Sequence, residues 1–313
     1  MTQLSNEQLA SIAHDYYLSD LNLADISQKY NLSRYLVDKA LSEAKLKHIV
    51  QISIRHDESR RNVELEYYFK QLFNLKEAFI LRKDTTKIKD EENLVRFAAS
   101  QIENYLKQSH TVGLTWGTTS LDIINNFQEA DRPDLNFVQL LGITVDTGHR
   151  KNPLVQQAAY KFNAKYQQLP APLYCANPKL TELFKEEPLF KNLEKSYKKL
   201  DLVFTGIGTI QSIEENEIMA KQYAPHLLKN IDQDKIAGFI FGRPYTTDGT
   251  ILDDINDHIC GITQQEISKV PIRFVIEKNR FKADALLGAL HTGLITHLVI
   301  NEGIAERIVQ KTE

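Results

Sequence analysis

The part of this sequence best suited to hold a ligand is a short turn of small and hydroxylated residues. It consists of Gly117, Thr118, Thr119 and Ser120. An apolar stretch that predicts a strand, Val112 to Trp116, precedes it, and a helical pattern from Ser120 to Phe127 follows it. The N-terminus of a helix has unpartnered N–H groups and a positive dipole end, so a phosphate would fit there. The same residues also suit an ordinary turn in which Thr or Ser caps the helix. Trp116, the only tryptophan, is expected to pack beneath the turn rather than to contact a ligand.

Side chains that could act as a general base are scattered and form no compact motif. They are Asp146, His149, Asp248, Asp253 and His291. A sugar-phosphate isomerase or deaminase would need such a base near the turn. An imine-forming enzyme would need a buried lysine at a strand end, where the sequence has Leu141. An enzyme therefore stays an alternative, but we expect no catalytic residue, no metal ion and no cofactor.

The N-terminal segment predicts a helix-turn-helix. Apolar residues at helical spacing predict helices from Ser5 to Leu18, from Leu21 to Tyr30, and from a cap at Ser33 to about Leu46. Ser33, Arg34, Tyr35, Asp38 and Lys39 would then face the major groove of DNA. All basic residues between Met1 and Ile54 lie in the second half of that segment, which polarises its charge toward the third helix. A helical bundle that only packs on the rest of the protein is the alternative.

Composition limits the class of protein. The chain has 313 residues, of which 42% are hydrophobic and 25% charged, as in globular proteins of about two domains. It has neither a signal-peptide pattern nor an apolar run long enough for a membrane span, so we expect a cytoplasmic protein without a membrane partner. Cys175 and Cys260 are too few and too far apart in sequence for a disulfide framework or a four-cysteine zinc site.

From Ala78 onward, near-continuous apolar strands alternate with helices, which predicts a mostly parallel, doubly wound α/β sheet covered on both faces. Ligands of such sheets bind at the carboxyl ends of the strands, where the turn at Gly117 falls. The predicted strands include Gln167 to Leu173 and Ile236 to Phe241. A polar stretch after residue 56 divides the chain into a winged helix-turn-helix domain, 1–56, and an effector-binding and oligomerisation domain, 57–313. The predicted wing runs from His48 to Ile54.

Over nearly its whole length the chain resembles the SorC-type sugar-responsive transcriptional regulators of bacteria. The N-terminal resemblance depends on the run from Asp25 to Arg34 and on Ile49 to Ile52. The C-terminal resemblance depends on Val112 to Thr119, Val138 to Gly142, Leu169 to Pro172, Asp201 to Gly208, Asp248-Gly249, Lys282, and Asn301 to Ala305. The resemblance is specific because the Trp-Gly-x-Thr turn occurs in combination with this order of segments.

This resemblance implies a helix-turn-helix domain joined to an effector domain related in fold to sugar-phosphate isomerases and CoA transferases. It implies an assembly of two or four copies that binds operator DNA and responds to a phosphorylated sugar. By position, Gly117, Thr118, Thr119 and Ser120 would hold the phosphate, and Lys282 would supply a positive charge. The chain would then regulate a carbohydrate-metabolism operon.

Several positions depart from the family pattern. Phe239 replaces an acid, Thr246 replaces an acid, and Lys278 and Asn279 replace a pair of glycines. In the third helix, Asp38 and Lys39 stand where relatives often have Ser and Arg, so a different operator is expected. The phosphate end of the site is thus retained and the sugar end altered. A regulator that has lost small-molecule control is a further alternative.

Overall fold

The computed structural model describes residues 4–47, 49–50, 61–84, 86–143 and 153–312. The chain divides into two compact units, Met1–Asp57 and Glu58–Glu313. The boundary that we predicted after residue 56 lies outside the described residues, and so does the predicted wing apart from Ile49 and Val50, which form no strand.

The N-terminal unit contains three helices, α1 (Asn6–Tyr17), α2 (Leu23–Tyr30) and α3 (Arg34–Leu46). Local side chains determine where they begin. Ser5 and Gln8 form a reciprocal capping box at α1, and the Ser33 hydroxyl accepts the Leu36 N–H at 3.3 Å at α3. Asn31, in the left-handed region with φ 51°, ends α2 and makes the turn tight.

A small apolar core holds the three helices together. Its fully buried members are Leu9, Ile12, Ala13, Ile26, Val37, Ala40, Leu41 and Ala44. A polar contact adds to it: Asp15 on α1 accepts hydrogen bonds of 2.7 Å from both Lys29 Nζ and Tyr30 Oη at the end of α2. These bonds stabilise the charged carboxylate, so they lower the pKa of Asp15.

The C-terminal unit is built on one parallel sheet. Its strands are β1 (Glu77–Leu81), β2 (Thr111–Leu114), β3 (Asn136–Gln139), β4 (Lys165–Gln167), β5 (Leu202–Thr205), β8 (Ile272–Glu277) and β9 (His297–Asn301), and a separate hairpin contains β6 (Gly238–Ile240) and β7 (Arg243–Tyr245). The order in the sheet is β1-β9-β8-β5-β2-β3-β4. Every neighbouring pair in it is parallel.

Helices cover both faces of this sheet. They are α4 (Val63–Leu72), α5 (Lys87–Leu106), α6 (Thr118–Asn126), α7 (Leu154–Phe162), α8 (Pro178–Glu186), α9 (Pro188–Tyr197), α10 (Ile210–Glu214), α11 (Ala224–Leu227), α12 (Gln264–Lys269), α13 (Ala283–His291) and α14 (Glu302–Thr312). Successive strand residues point to opposite cores: Phe204 and Phe274 pack with α5 to α7, while Val203 and Val275 pack with α13 and α14. The predicted two-sided sheet is therefore present.

Two predicted strands differ from the structure. Residues 236–241 are not part of the main sheet, because Phe241 and Gly242, with φ of 48° and 74°, form a two-residue turn that folds β6 back on β7. The prediction from Gln167 to Leu173 was also wrong, since β4 ends at Gln167. Pro170 and Pro172 have no N–H to donate and cannot extend a ladder.

The two cysteines are brought together by the fold. Their Sγ atoms lie 3.4 Å apart, both are buried, and both are free thiols. Among the described helices, none has the length and apolar character needed to cross a bilayer.

Candidate functional site

A cavity of about 400 Å³ opens at the carboxyl ends of three adjacent strands of the sheet. Its walls include residues 115–119 after β2, residues 205–209 at and after β5, and Lys282 after β8. After β2 the chain continues to β3 on one side, whereas after β5 it continues to β8 on the other. Such a switch point leaves a crevice between the strands, which is where open α/β sheets bind ligands.

The predicted turn forms one end of this cavity. Gly117, Thr118 and Thr119 all line it, and α6 begins at Thr118, so its first N–H groups lie at the cavity. Gly117 has φ +146°, a conformation that residues with a Cβ rarely adopt. A Cβ on Gly206 would lie 3.2 Å from Thr119 Oγ1, a tight contact, so glycine at this position lets the neighbouring loop approach closely without a shift of Thr119.

Ser120 is not brought into the cavity. The helix starts two residues earlier than the predicted Ser120, which places this side chain in the first turn facing the core. It is fully buried, and its hydroxyl has no hydrogen-bond partner among the described residues. The structure therefore gives Ser120 no surface with which to contact a ligand in the cavity.

Lys282 also lines the cavity and is largely buried. Its Nζ donates to the Ile207 carbonyl at 2.7 Å and lies 3.6 Å from Oε2 of Glu277. Glu277 has no exposed surface, and its other oxygen accepts the N–H groups of Lys278 and Asn279 at 2.9 and 2.8 Å. Burial raises the pKa of Glu277, although Lys282 and these two N–H groups oppose the shift. Lys282 thus presents a partly neutralised cation to the cavity.

Thr115 and Thr205 join the two strands on either side of the crevice. Their hydroxyl oxygens lie 2.6 Å apart, and the Thr205 hydroxyl also donates to the Gly206 carbonyl at 3.0 Å. Neither residue was among the predicted site residues. Each is a polar residue at the end of a buried strand, and that pattern is a signal by which they could have been found.

Trp116 differs from our expectation. It lines the cavity with 38% of its surface exposed and does not pack beneath the turn. The segment from Thr209 to Met219 forms a further wall of the cavity. We had assigned no helix or strand to this segment from the sequence. It consists of α10 and the start of a π-helical turn, Met219–Tyr223.

Of the four altered positions, Phe239 is the one that lines the cavity. Lys278 instead forms an ion pair of 2.6 Å with Asp122 on α6, and Asn279 donates to Glu277. The Thr246 hydroxyl bonds to Asp248 within its own turn. Among these altered positions, Phe239 is therefore the one that changes the chemistry of the cavity lining.

The proposed general bases do not converge on this cavity. Asp248 caps a turn, Asp253 accepts from Asn256 at 2.6 Å, and His291 Nδ1 lies 2.9 Å from the Thr247 carbonyl. None of these three lines the cavity. Asp146 and His149 lie outside the described residues. The part of the chain that the structure describes contains no cluster of three or more His, Cys, Asp or Glu side chains that could hold a metal ion.

The N-terminal unit presents a second candidate surface. Ser33, Arg34, Tyr35, Asp38 and Lys39 are all exposed on or at the start of α3. The opposite face of the helix is buried through Val37, Ala40, Leu41 and Ala44. Positions 34 and 38, like 35 and 39, are four residues apart and therefore lie on one face. A helix with this arrangement can enter a groove of DNA without uncovering its core.

Comparisons with known proteins cover both units. A family model described as "Putative sugar-binding domain" matches residues 57–310. The sorbitol operon regulator of Klebsiella pneumoniae is 24% identical over 310 residues, which cover 96% of this chain and 97% of that protein. The deoxyribonucleoside regulator of Bacillus subtilis (strain 168) is 24% identical over 300 residues, 94% of each chain.

The crystal structure of the full-length Klebsiella pneumoniae regulator SorC is similar to this one. The TM-score is 0.69 at 23% sequence identity, and the match covers 97% of this chain and 99% of that chain. At this identity the likeness concerns the fold, and it confirms the predicted fold class.

Proposed function

The chain belongs to the family described as "Putative sugar-binding domain", as its resemblance to SorC-type regulators predicted, and on that premise we propose that it is a DNA-binding transcriptional regulator of a carbohydrate-metabolism operon. A phosphorylated sugar or related metabolite binds at the turn of Gly117, Thr118 and Thr119 and controls DNA affinity or assembly. The protein acts in the cytoplasm, where operator DNA is accessible. It has no catalytic role.

The observation that carries this proposal is the combination of two anion-attracting elements in one cavity. The N-terminus of α6 is at one wall, and Lys282 is at another. N–H groups and an ammonium group that converge on one space suit a phosphate better than a neutral ligand. Lys282 can exchange its hydrogen bond to the Ile207 carbonyl for one to a phosphate oxygen.

A ligand in this position would connect parts of the chain that are far apart in sequence. It would contact the turn after β2, the loop after β5 and the segment from Thr209 to Met219 at the same time. Such a ligand stabilises whichever arrangement of these elements it fits best. In an assembly of two or four copies, that bias changes whether paired α3 helices match two half-sites about one helical turn, or a multiple of it, apart.

The described lining of the cavity supports a binding role over catalysis. It contains no histidine, and its one carboxylate, Glu215, is exposed. The names of the two relatives as regulators agree with this choice.

The test is a fluorescence-anisotropy titration of the full-length protein on DNA from upstream of its own gene. It is run at two salt concentrations, with and without a pool of sugar phosphates, and against random DNA as control. Saturable, salt-sensitive binding that the pool alters is expected. If the protein binds this DNA no better than random DNA, the helical unit is a packing element and not a DNA-binding domain. If it binds specifically but no sugar phosphate alters the binding, the protein is a regulator without small-molecule control.

A further inference from the structure

We propose that the cavity selects phosphate monoesters whose organic part carries few hydroxyl groups, over polyhydroxylated sugar phosphates of similar size. This inference rests on the proposed function, since it assumes that the turn at Gly117 and Lys282 hold a phosphate. It adds the chemical class of the remainder of the ligand.

Apolar side chains from separate segments form a large part of the cavity lining, which we call the apolar wall. They are Leu141, Leu173, Ile207, Met219, Phe239 and Phe241, and all six are buried. A ring hydroxyl placed against this wall loses its water without gaining a hydrogen-bond partner, which is unfavourable. A methylene group in the same place gains by leaving water.

The position of Phe239 is fixed by the backbone. Its N–H donates to the Gly208 carbonyl and its carbonyl accepts the Gly208 N–H, both at 2.9 Å. A Cβ on Gly208 would approach the Phe239 Cβ to 3.3 Å, so the two segments are in close contact. The backbone of Phe239 is therefore held against the loop after β5, at the edge of the cavity.

Phe241 reaches the cavity from a turn that disfavours it. Its φ of 48° is a conformation in which Gly and Asn are common and aromatic residues are not. Tertiary packing holds it there with 2% of its surface exposed. The wall thus contains a second aromatic residue two positions from Phe239.

The hydroxyl groups near this wall already have partners. Tyr174 Oη donates to the Gly242 carbonyl at 2.6 Å, and Thr115 and Thr205 bond to each other. The side-chain oxygen Oδ1 of Asn216 accepts the Met219 N–H at 3.0 Å. The hydroxyl donors of these groups are thus engaged, so a sugar oxygen that needed to accept a hydrogen bond from one of them would have to displace a bond.

The charged side chains near the cavity do not supply hydrogen bonds to sugar hydroxyls at the apolar wall. Glu215, the one carboxylate of the described lining, is at the exposed side of the cavity. The guanidinium of Arg243, beside the hairpin turn, bonds to the carbonyls of Phe241 and Ile262 and to Asn256. Neither of these two charged groups therefore offers a bidentate contact to ring hydroxyls at the apolar wall.

The experiment compares two esters with the same ring size and charge, cyclohexylmethyl phosphate and glucose 6-phosphate, with inorganic phosphate as reference. Binding to the full-length protein is measured by isothermal titration calorimetry and by the fluorescence of Trp116, the only tryptophan, which lines the cavity. Cyclohexylmethyl phosphate is expected to bind at least about tenfold more tightly than glucose 6-phosphate.

Equal binding of the two esters, or tighter binding of glucose 6-phosphate, overturns this inference while leaving the proposed phosphate site intact. If none of the three ligands binds, the phosphate site itself is wrong and the inference falls with it.

A variant pair tests the wall directly. Phe239→Asp should lower the preference for cyclohexylmethyl phosphate by about tenfold or more, whereas Phe239→Leu, which keeps an apolar wall, should preserve it. Far-UV circular dichroism and the urea unfolding midpoint show whether each variant is folded, because the added carboxylate of Phe239→Asp also repels inorganic phosphate. If Phe239→Asp does not fold, Ile213→Asn, at a half-buried lining position, is measured in its place. An unchanged preference in the folded polar variant overturns the inference.

Discussion

The ammonium nitrogen of Lys282 lies 3.6 Å from the Glu277 carboxylate, which has no exposed surface and whose Oε2 has no hydrogen-bond partner among the described residues. Lys282 is therefore the main counter-charge of a buried acid and at the same time the cation nearest the cavity. A phosphate bound there competes with Glu277 for the same positive charge.

Glu277→Gln is expected to tighten binding of inorganic phosphate. Removing a negative charge within several ångströms of an incoming anion contributes about 1 kcal/mol at an intermediate effective dielectric, or roughly five- to tenfold in affinity. Trp116 fluorescence measures it. Asp284→Asn, which removes an equal charge at an exposed ion pair with Lys311, is the control and should change little because solvent screens that charge. Weaker binding in Glu277→Gln would mean that the acid is needed to hold Lys282 in position.

Thr119→Val is expected to abolish the metabolite response and to leave DNA binding unchanged. Valine fills the same buried volume, since Thr119 is 5% exposed, but it cannot bond to a phosphate oxygen. Thr119→Ser keeps the hydroxyl and should retain most of the response. Anisotropy titrations with and without the sugar-phosphate pool measure both properties, and a normal response in Thr119→Val would refute the phosphate assignment of this turn.

Arg34→Ala is expected to weaken DNA binding and to keep the metabolite response. Arg34 is exposed at the first position of α3, so its loss removes one contact without affecting the core. If Arg34 contacts a phosphate of the DNA backbone, the negative slope of log affinity against log salt should become shallower by about one. Lys89→Ala, an exposed cation on α5, serves as control. Equal effects of the two substitutions would indicate general electrostatics and not a reading helix.

His297→Phe is expected to make the C-terminal unit less sensitive to acid. Burial lowers the pKa of His297 to about 4, and its ring packs at 5.0 Å from Tyr105 and 4.8 Å from Phe274. The unfolded chain takes up the proton near pH 6.5, so stability is complete above that pH and is lost as the pH falls toward 4.

Between pH 7 and pH 5 the contribution of His297 lowers the free energy of unfolding by about 2 kcal/mol in the natural chain, and this contribution is absent in the variant. Urea unfolding at the two pH values measures it, with His226→Phe at an exposed position as the matched control. An equal loss in all three proteins would assign the acid sensitivity to other groups.

Local features of this protein were predictable from sequence. The caps at Ser5 and Ser33, the ends of α2 and α3, and the strand-turn-helix around Gly117 involve residues within a few positions of one another. Hydrogen bonds and apolar periodicity over that range depend on the nearby sequence. The start of α6 was misplaced by two residues, because the helix is preceded by Gly117 without a side-chain cap and packing places Ser120 in the core.

Contacts between distant residues were decided by the tertiary structure. Thr115 meets Thr205, and Cys175 meets Cys260, across 90 and 85 residues of sequence. The hairpin that brings Phe239 to the wall and the segment that ends at Met219 also depend on the assembled sheet. Parallel strands pair through long connections, so the neighbour of each strand end is determined by the order in the sheet. The sequence by itself therefore determined the family, the helix-turn-helix and the strand-turn-helix around Gly117, whereas the surroundings of that turn were decided only when remote strands packed side by side.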